Sequence, residues 1–222
     1  MIIPYDHHLT LFDINPDAKI SFVDGVIIID DYYKNYEDIY DLSQNMAVPR
    51  FKWFKGESRN FVDYYDCRPI IHGEASPMSC AKHFATFSLI KKYFGFDGEL
   101  QPLHFGYEFN YFKHIQNIPP DNNIQFAPHK DPYTFASIIY LDKVSSGGTI
   151  FYTNEDDFDD YVFEEHIDLL VDVKNCSSRI VRAKPNRHII FEGSSLHGGY
   201  IEDHQKYIND WRINQVLFYK AV

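Results

Sequence analysis

The sequence holds 222 residues, a length that suits one domain with a sizeable core and is short for two. Its formal net charge of -11 repels a phosphate backbone and argues against general nucleic-acid affinity unless a local basic patch overrides the average, and no stretch approaches a membrane span. Apolar residues make up 45% and aromatics 17%, which favours strand-rich globular structure over disorder.

Cys67, Cys80 and Cys176 are odd in number and far apart, with no pair spaced for a zinc ribbon or redox motif, so a reducing cytoplasm is expected. Met1 to Thr10 carries a proline, an acid and two histidines where a signal peptide needs an apolar run, so an unprocessed soluble chain is expected. Gly25 to Asp30 reads as a short β-branched strand and Tyr36 to Asn45 as a helix. Pro49 to Pro69 reads as irregular. Its basic aromatic part, Phe51 to Arg68, is either a solvated loop or a lid that would favour an anionic substrate. A shorter basic stretch runs from Arg179 to Arg187. Ser76 as cap and Pro77 at the first helical position open a second helix that runs to about Gly95.

From Leu103 the pattern changes to short runs of Ile, Val, Phe, Tyr and Thr between Gly, Pro, Asn or Asp clusters. Expected strands are Tyr107 to Lys113, Ile124 to Pro128, Phe135 to Leu141, Thr149 to Tyr152, Ser178 to Val181, His188 to Phe191 and Arg212 to Tyr219. Asn154 to Asp160 is an acidic loop, and Tyr161 to Asp172 is a helix or an irregular insertion. The expectation is one domain, mainly β with N-terminal helices: a support region over 1–102 and a jelly-roll or barrel core over 103–222.

Two histidines and one carboxylate on one face of an octahedral metal leave three positions open, as Fe(II) needs to bind a cosubstrate and O₂ together. His129-x-Asp131 places both side chains on one side of a strand, because side chains alternate with period two. The pattern alone is uninformative, since the chain also carries His166-x-Asp168. Context separates them. His129 is followed by Phe135 to Leu141, by Gly147-Gly148-Thr149, and later by Phe191, Ser194, Leu196, His197 and Gly198, whereas no glycine-rich strand pair follows His166. His7, His8, His72, His83, His104, His114, His166, His188 and His204 read as surface or packing residues.

In this order of motifs, over Leu103 to Tyr219, the chain resembles the prolyl-hydroxylase-like branch of the 2-oxoglutarate and Fe(II)-dependent oxygenases. The resemblance implies a double-stranded β-helix, a cupin-like jelly roll, with the helices before residue 96 against its outer face. It implies that His129, Asp131 and His197 bind Fe(II). Tyr140 would reach the far carboxylate of 2-oxoglutarate, Arg212 would close on that carboxylate, and Tyr111 would line the same pocket. Two features depart from the family pattern. The glycine strand lacks the residue that usually separates Gly-Gly from Thr, and Ile201 to Asp210 make a long connection before the last strand, which keeps Lys206 as a rival to Arg212.

The implied activity consumes O₂ and 2-oxoglutarate, releases succinate and CO₂, and hydroxylates an unactivated C-H bond of an amino-acid, peptide or small-metabolite substrate, with ascorbate as reductant. Asp131 argues for hydroxylation over halogenation, because halide-binding relatives put a small residue there. Desaturation stays open. The alternatives are a metal-binding cupin-like isomerase or sensor, which has no use for a basic residue at Arg212, and an interaction module in which the three ligands never meet.

Overall fold

A computed structural model describes residues 2–3, 11–45, 51–52, 62–67, 70–71, 77–103, 109–114, 124–126, 128–144, 146–154, 170–172 and 175–222. Its first elements are strands β1 (Ile2–Ile3), β2 (Lys19–Val23) and β3 (Val26–Asp30), helix α1 (Tyr36–Asn45), strands β4 (Phe51–Lys52), β5 (Val62–Cys67) and β6 (Ile70–Ile71), and helix α2 (Pro77–Phe94). Strands β7 (Leu100–Pro102), β8 (Phe109–His114), β9 (Ile124–Phe126), β10 (Phe135–Tyr140), β11 (Gly148–Tyr152) and β12 (Leu170–Asp172) follow. Strands β13 (Ser178–Arg182), β14 (Arg187–Glu192) and β15 (His197–Tyr200), a single helical turn α3 (Lys206–Asn209) and the long strand β16 (Arg212–Ala221) complete the order.

The chain is mainly β, with two longer helices before residue 96. A nine-stranded sheet runs β2-β3-β14-β10-β16-β8-β5-β4, with β7 also paired to β16, and a five-stranded sheet runs β12-β9-β15-β11-β13. Pairing in both is antiparallel; only the small β1-β6 pair is parallel among the described strands.

Local chemistry explains the corners. Asp24 and Gly25 take φ of 47° and 76° between the paired Val23 and Val26, a two-residue turn whose left-handed backbone matches the twist of the strands it joins. Helix α2 opens on Pro77 and ends before Gly95, whose φ of 66° provides the left-handed residue that terminates a helix. Asn186, at φ 61°, exchanges two side-chain hydrogen bonds of 2.8 Å with the backbone of Tyr33 and so pins the start of β14 beneath β3.

Because strand side chains alternate, β10 has two different faces. Ala136, Ile138 and Tyr140 join Phe151, Val181, Ile189 and Phe191 in a core between the two sheets. Phe135, Ile139 and Leu141 point the other way, with Ile190, Ile213 and Leu217, into a larger core covered by Tyr36 of α1 and by Phe87, Ile90 and Phe94 of α2. At roughly 1.5 to 3 kcal/mol per fully buried large apolar side chain, this outer core is the main adhesive between helices and sheet.

Two expectations need correction. The segment Pro49 to Pro69, read as irregular, contains β4 and β5, and β5 extends the large sheet by pairing Val62 to Cys67 along β8. Leu170–Asp172, at the end of the segment read as helix or insertion, is a strand paired with β9. The lid reading of Phe51 to Arg68 and the loop Asn154 to Asp160 fall mostly outside the described residues.

Candidate metal centre and its inner chamber

His129 and His197 face each other across an isolated antiparallel bridge, in which each backbone N-H donates to the other's carbonyl at 2.9 and 3.0 Å. Asp131 follows, held by a hydrogen bond from its N-H to the Gly193 carbonyl at 2.8 Å. Two residues apart, His129 and Asp131 present their side chains to the same side, where the His197 ring meets them. His129 Nε2 lies 3.8 Å from Asp131 Oδ1, and His197 Nε2 lies 3.5 Å from Asp131 Oδ2. One ligand atom from each residue falls within 4.8 Å of the other two.

Donors bonded side by side to one ion at about 2.1 Å would stand about 3.0 Å apart, so these separations must close by roughly 0.5 to 2 Å, a range that side-chain torsions can supply. The ring nitrogens agree with that use. His197 Nδ1 donates to the Ser195 carbonyl at 2.8 Å, which fixes the tautomer that leaves the Nε2 lone pair facing Asp131. Burial, then the neighbouring His129, hold His197 down to about 3, so its imidazole is neutral and its contact with Asp131 is not an ion pair. Burial likewise raises the Asp131 carboxyl above its ordinary range, opposed by His129. Both shifts describe a dry site that gains from a cation.

The side chains are 43%, 11% and 6% exposed at His129, Asp131 and His197, so the cluster opens on the His129 side and is walled behind His197. Phe191 forms that wall edge-on, its ring centroid 4.7 Å from His197, with Phe151 at 6.1 Å.

Between the sheets lies a cluster of buried polar side chains. Tyr140, fully buried, shares a hydrogen bond of 2.6 Å with Thr149 Oγ1. Burial pushes its hydroxyl up to about 12, with the Arg212 guanidinium opposing, so Tyr140 acts as a neutral donor. Arg212 is 3% exposed, and its Nη2 donates to the Gly148 carbonyl at 2.9 Å. Asn214 sits directly opposite Tyr140 on β16, on the face it shares with Arg212. It is buried, and its Oδ1 has no hydrogen-bond partner. Since the ends of an amide exchange by a half-turn, Asn214 can offer the chamber a donor or an acceptor. A guanidinium, a phenol, a hydroxyl and an amide converging here form a donor set suited to a carboxylate.

The glycine pair explains how Thr149 gets there. A Cβ on Gly147, at φ 116°, would lie 2.0 Å from the Tyr200 carbonyl, and one on Gly148 would lie 2.0 Å from that of Val181. Only glycines let β11 enter between β15 and β13 at this depth, which sets Thr149 beneath Tyr140.

Of the sequence-derived site residues, the structure brings His129, Asp131 and His197 together and puts Arg212 and Tyr140 in one chamber. Tyr111, on β8, pairs with Ile213 of β16, and its side chain lies outside the described residues, as do His166 and Asp168. Lys206 is exposed. His83, His188 and His204 are buried away from the triad, as packing residues. Thr149 and Asn214 were missed as site residues; the signal for Asn214 was its place two positions after Arg212 on one strand face.

No protein-family model and no curated protein sequence matches the chain. Solved structures do resemble it. An oxidoreductase of the 2OG-Fe(II) oxygenase family from Burkholderia pseudomallei is 12% identical over 88% of this chain and 84% of its own, with a TM-score of 0.51. SnoN, a non-heme alpha-ketoglutarate-dependent epimerase from nogalamycin biosynthesis, is 14% identical over 89% of this chain and 79% of its own, at 0.54. HygX from Streptomyces hygroscopicus, solved with nickel, 2-oxoglutarate and hygromycin B, is 9% identical over 89% and 83%, at 0.50. This chain therefore shares the fold of 2-oxoglutarate and Fe(II)-dependent oxygenases.

Proposed function

We propose that this chain is an Fe(II)- and 2-oxoglutarate-dependent dioxygenase of the prolyl-hydroxylase-like branch, built on a double-stranded β-helix and acting on a small molecule. The observation that carries the proposal is the convergence of His129, Asp131 and His197, with the His197 tautomer fixed for ligation, beside a buried polar cluster of Arg212, Tyr140, Thr149 and Asn214. The similar structures bind Fe3+ and alpha-ketoglutarate in SnoN, and nickel, 2-oxoglutarate and hygromycin B in HygX. An isomerase or sensor has no need of a buried guanidinium ahead of the metal ligands, which favours the oxygenase.

His129, Asp131 and His197 would hold Fe(II) from one side. Iron supplies the O₂ chemistry that couples oxidation of 2-oxoglutarate to succinate and CO₂ with hydroxylation of an unactivated C-H bond. Arg212 and Tyr140 bind the far carboxylate and orient the cosubstrate toward the triad, while Phe151 and Phe191 exclude water behind His197. Substrate enters on the exposed side of His129. We place the protein in the cytoplasm; no helix of the described residues is long and apolar enough to cross a membrane. The test is a screen of small metabolites, amino acids and peptides with Fe(II), ascorbate and 2-oxoglutarate. Substrate-dependent succinate release above background, with a hydroxylated product by mass, supports the reading. A bound metal without any succinate refutes it.

A further inference from the structure

The long connection between β15 and β16 carries the helical turn α3, and its Tyr207 is fully buried. The Tyr207 hydroxyl donates to Asp142 Oδ2 at 2.8 Å and accepts the Ser146 N-H at 3.0 Å. Ser146 Oγ in turn accepts from the Asp203 N-H at 2.9 Å. One phenol therefore joins the connection to the end of β10 and to the residue just before the Gly147-Gly148 pair.

Asp142 is the one fully buried carboxylate among the described residues; Asp131 of the triad is only partly buried. Strand register fixes its place. Tyr140 pairs with Asn214, and the Leu141 N-H donates to the Ile213 carbonyl at 2.9 Å, so the next step along the two strands brings Asp142 beside Arg212. The Asp142 N-H reaches the same carbonyl at 3.3 Å. Two positions from Tyr140 and from Asn214, Asp142 and Arg212 belong to the face that carries the buried polar cluster. Both charges act on the neighbouring phenols. Burial and then Asp142 raise the Tyr207 hydroxyl while Arg212 opposes them, and the Tyr140 hydroxyl, raised by burial and opposed by Arg212, is also raised by Asp142.

A guanidinium that is 3% exposed needs a negative partner before any ligand arrives, because an uncompensated buried charge is strongly destabilising. Its N-H donors form a rigid fork, and they can serve the Gly148 carbonyl, one internal carboxylate and one incoming carboxylate together. Resting on the cosubstrate reading given above, we infer that Asp142, locked by Tyr207, is the fixed counter-ion that orients the Arg212 guanidinium toward the far carboxylate of 2-oxoglutarate. Asp142 is a positioning residue and acts through Arg212. The Ile201 to Asp210 connection is the brace that supplies Tyr207 to it.

The test is a double-mutant cycle on the whole chain, read by anaerobic calorimetry of Fe(II)-loaded protein titrated with 2-oxoglutarate. Asp142→Asn keeps the shape and an acceptor for Tyr207 but removes the charge, and the dissociation constant should rise about 10- to 100-fold, as when a group that orients a ligand is lost. In an Arg212→Ala background the same substitution should change affinity by less than about twofold, because the group it acts through is gone. Tyr207→Phe should raise the dissociation constant about fivefold, again only while Arg212 is present. A merely structural Asp142 would lower the melting temperature and leave the affinity of the folded protein unchanged. That result overturns the inference, as does tighter binding in Asp142→Asn or an equal loss in both backgrounds. If Asp142→Asn does not fold, the Tyr207→Phe cycle decides by the same criteria. A parent that binds no 2-oxoglutarate refutes the cosubstrate reading and this inference with it, whereas a parent that binds it and an Asp142→Asn protein that binds it equally well refute this inference alone.

Discussion

Replacing Arg212 by Ala removes the only described cation that is buried between the two sheets. A charged hydrogen bond to a carboxylate contributes about 1.5 to 3 kcal/mol, so the dissociation constant of 2-oxoglutarate should rise about 10- to 150-fold. Arg212→Lys should fall between, since an ammonium keeps the charge and loses the two-pronged fork. Anaerobic calorimetry of the Fe(II)-loaded protein measures this directly. Metal content should not change, because Arg212 is not one of the three clustered ligands and its guanidinium donates to the Gly148 carbonyl. Lys206→Ala should change nothing, since that side chain is exposed. The variant also leaves the Gly148 carbonyl without its donor, so a melting curve must accompany the titration. Unchanged 2-oxoglutarate affinity in a folded Arg212→Ala protein, or a loss of affinity in Lys206→Ala, refutes the assignment.

Other expectations follow from the same geometry. Gly147→Ala puts a Cβ against the Tyr200 carbonyl at a φ that L residues rarely adopt, so denaturant unfolding should show a loss of several kcal/mol, on the order of 3. Tyr207→Phe deletes a buried hydroxyl that donates to Asp142 Oδ2 at 2.8 Å and accepts from the Ser146 N-H at 3.0 Å; a loss of about 1 to 3 kcal/mol is expected by the same assay. For pH, His188 is held down to about 3 by burial and then by Lys82, so below about 6.5 the unfolded chain takes up a proton that the folded chain refuses. Stability should therefore fall as pH drops from about 6.5 toward 3, and His188→Phe should reduce that slope by about one proton in urea midpoints; an unchanged slope contradicts the burial argument.

Much of this architecture is legible in the sequence because it is written in local chemistry. The strands at 135 to 140, 148 to 152, 187 to 192 and 212 to 221 are β-branched or aromatic runs bounded by turn residues, and α2 carries its own start and stop in Pro77 and Gly95. What was missed lacks that signal. His197–Tyr200 holds two glycines and no β-branched residue, yet becomes a strand because β11 and β9 pair with it. Val62–Cys67 lies within a basic aromatic stretch whose composition hides its pairing with β8. The triad could be found because ligand spacing and glycine placement are sequence properties. Asn214 could not be found as readily, since its partnership with Tyr140 depends on the register of β16 against β10.

The most direct test of the account is metal content and 2-oxoglutarate turnover measured together in the parent and in Asp131→Ala. The parent should bind one Fe(II) per chain and convert 2-oxoglutarate to succinate only when iron and O₂ are present. Asp131→Ala, which removes the carboxylate lying within 3.8 Å of both imidazoles, should weaken Fe(II) binding by at least about tenfold and lose succinate formation while keeping the fold. A parent that binds no iron, or an Asp131→Ala protein that binds iron and turns over like the parent, would contradict it.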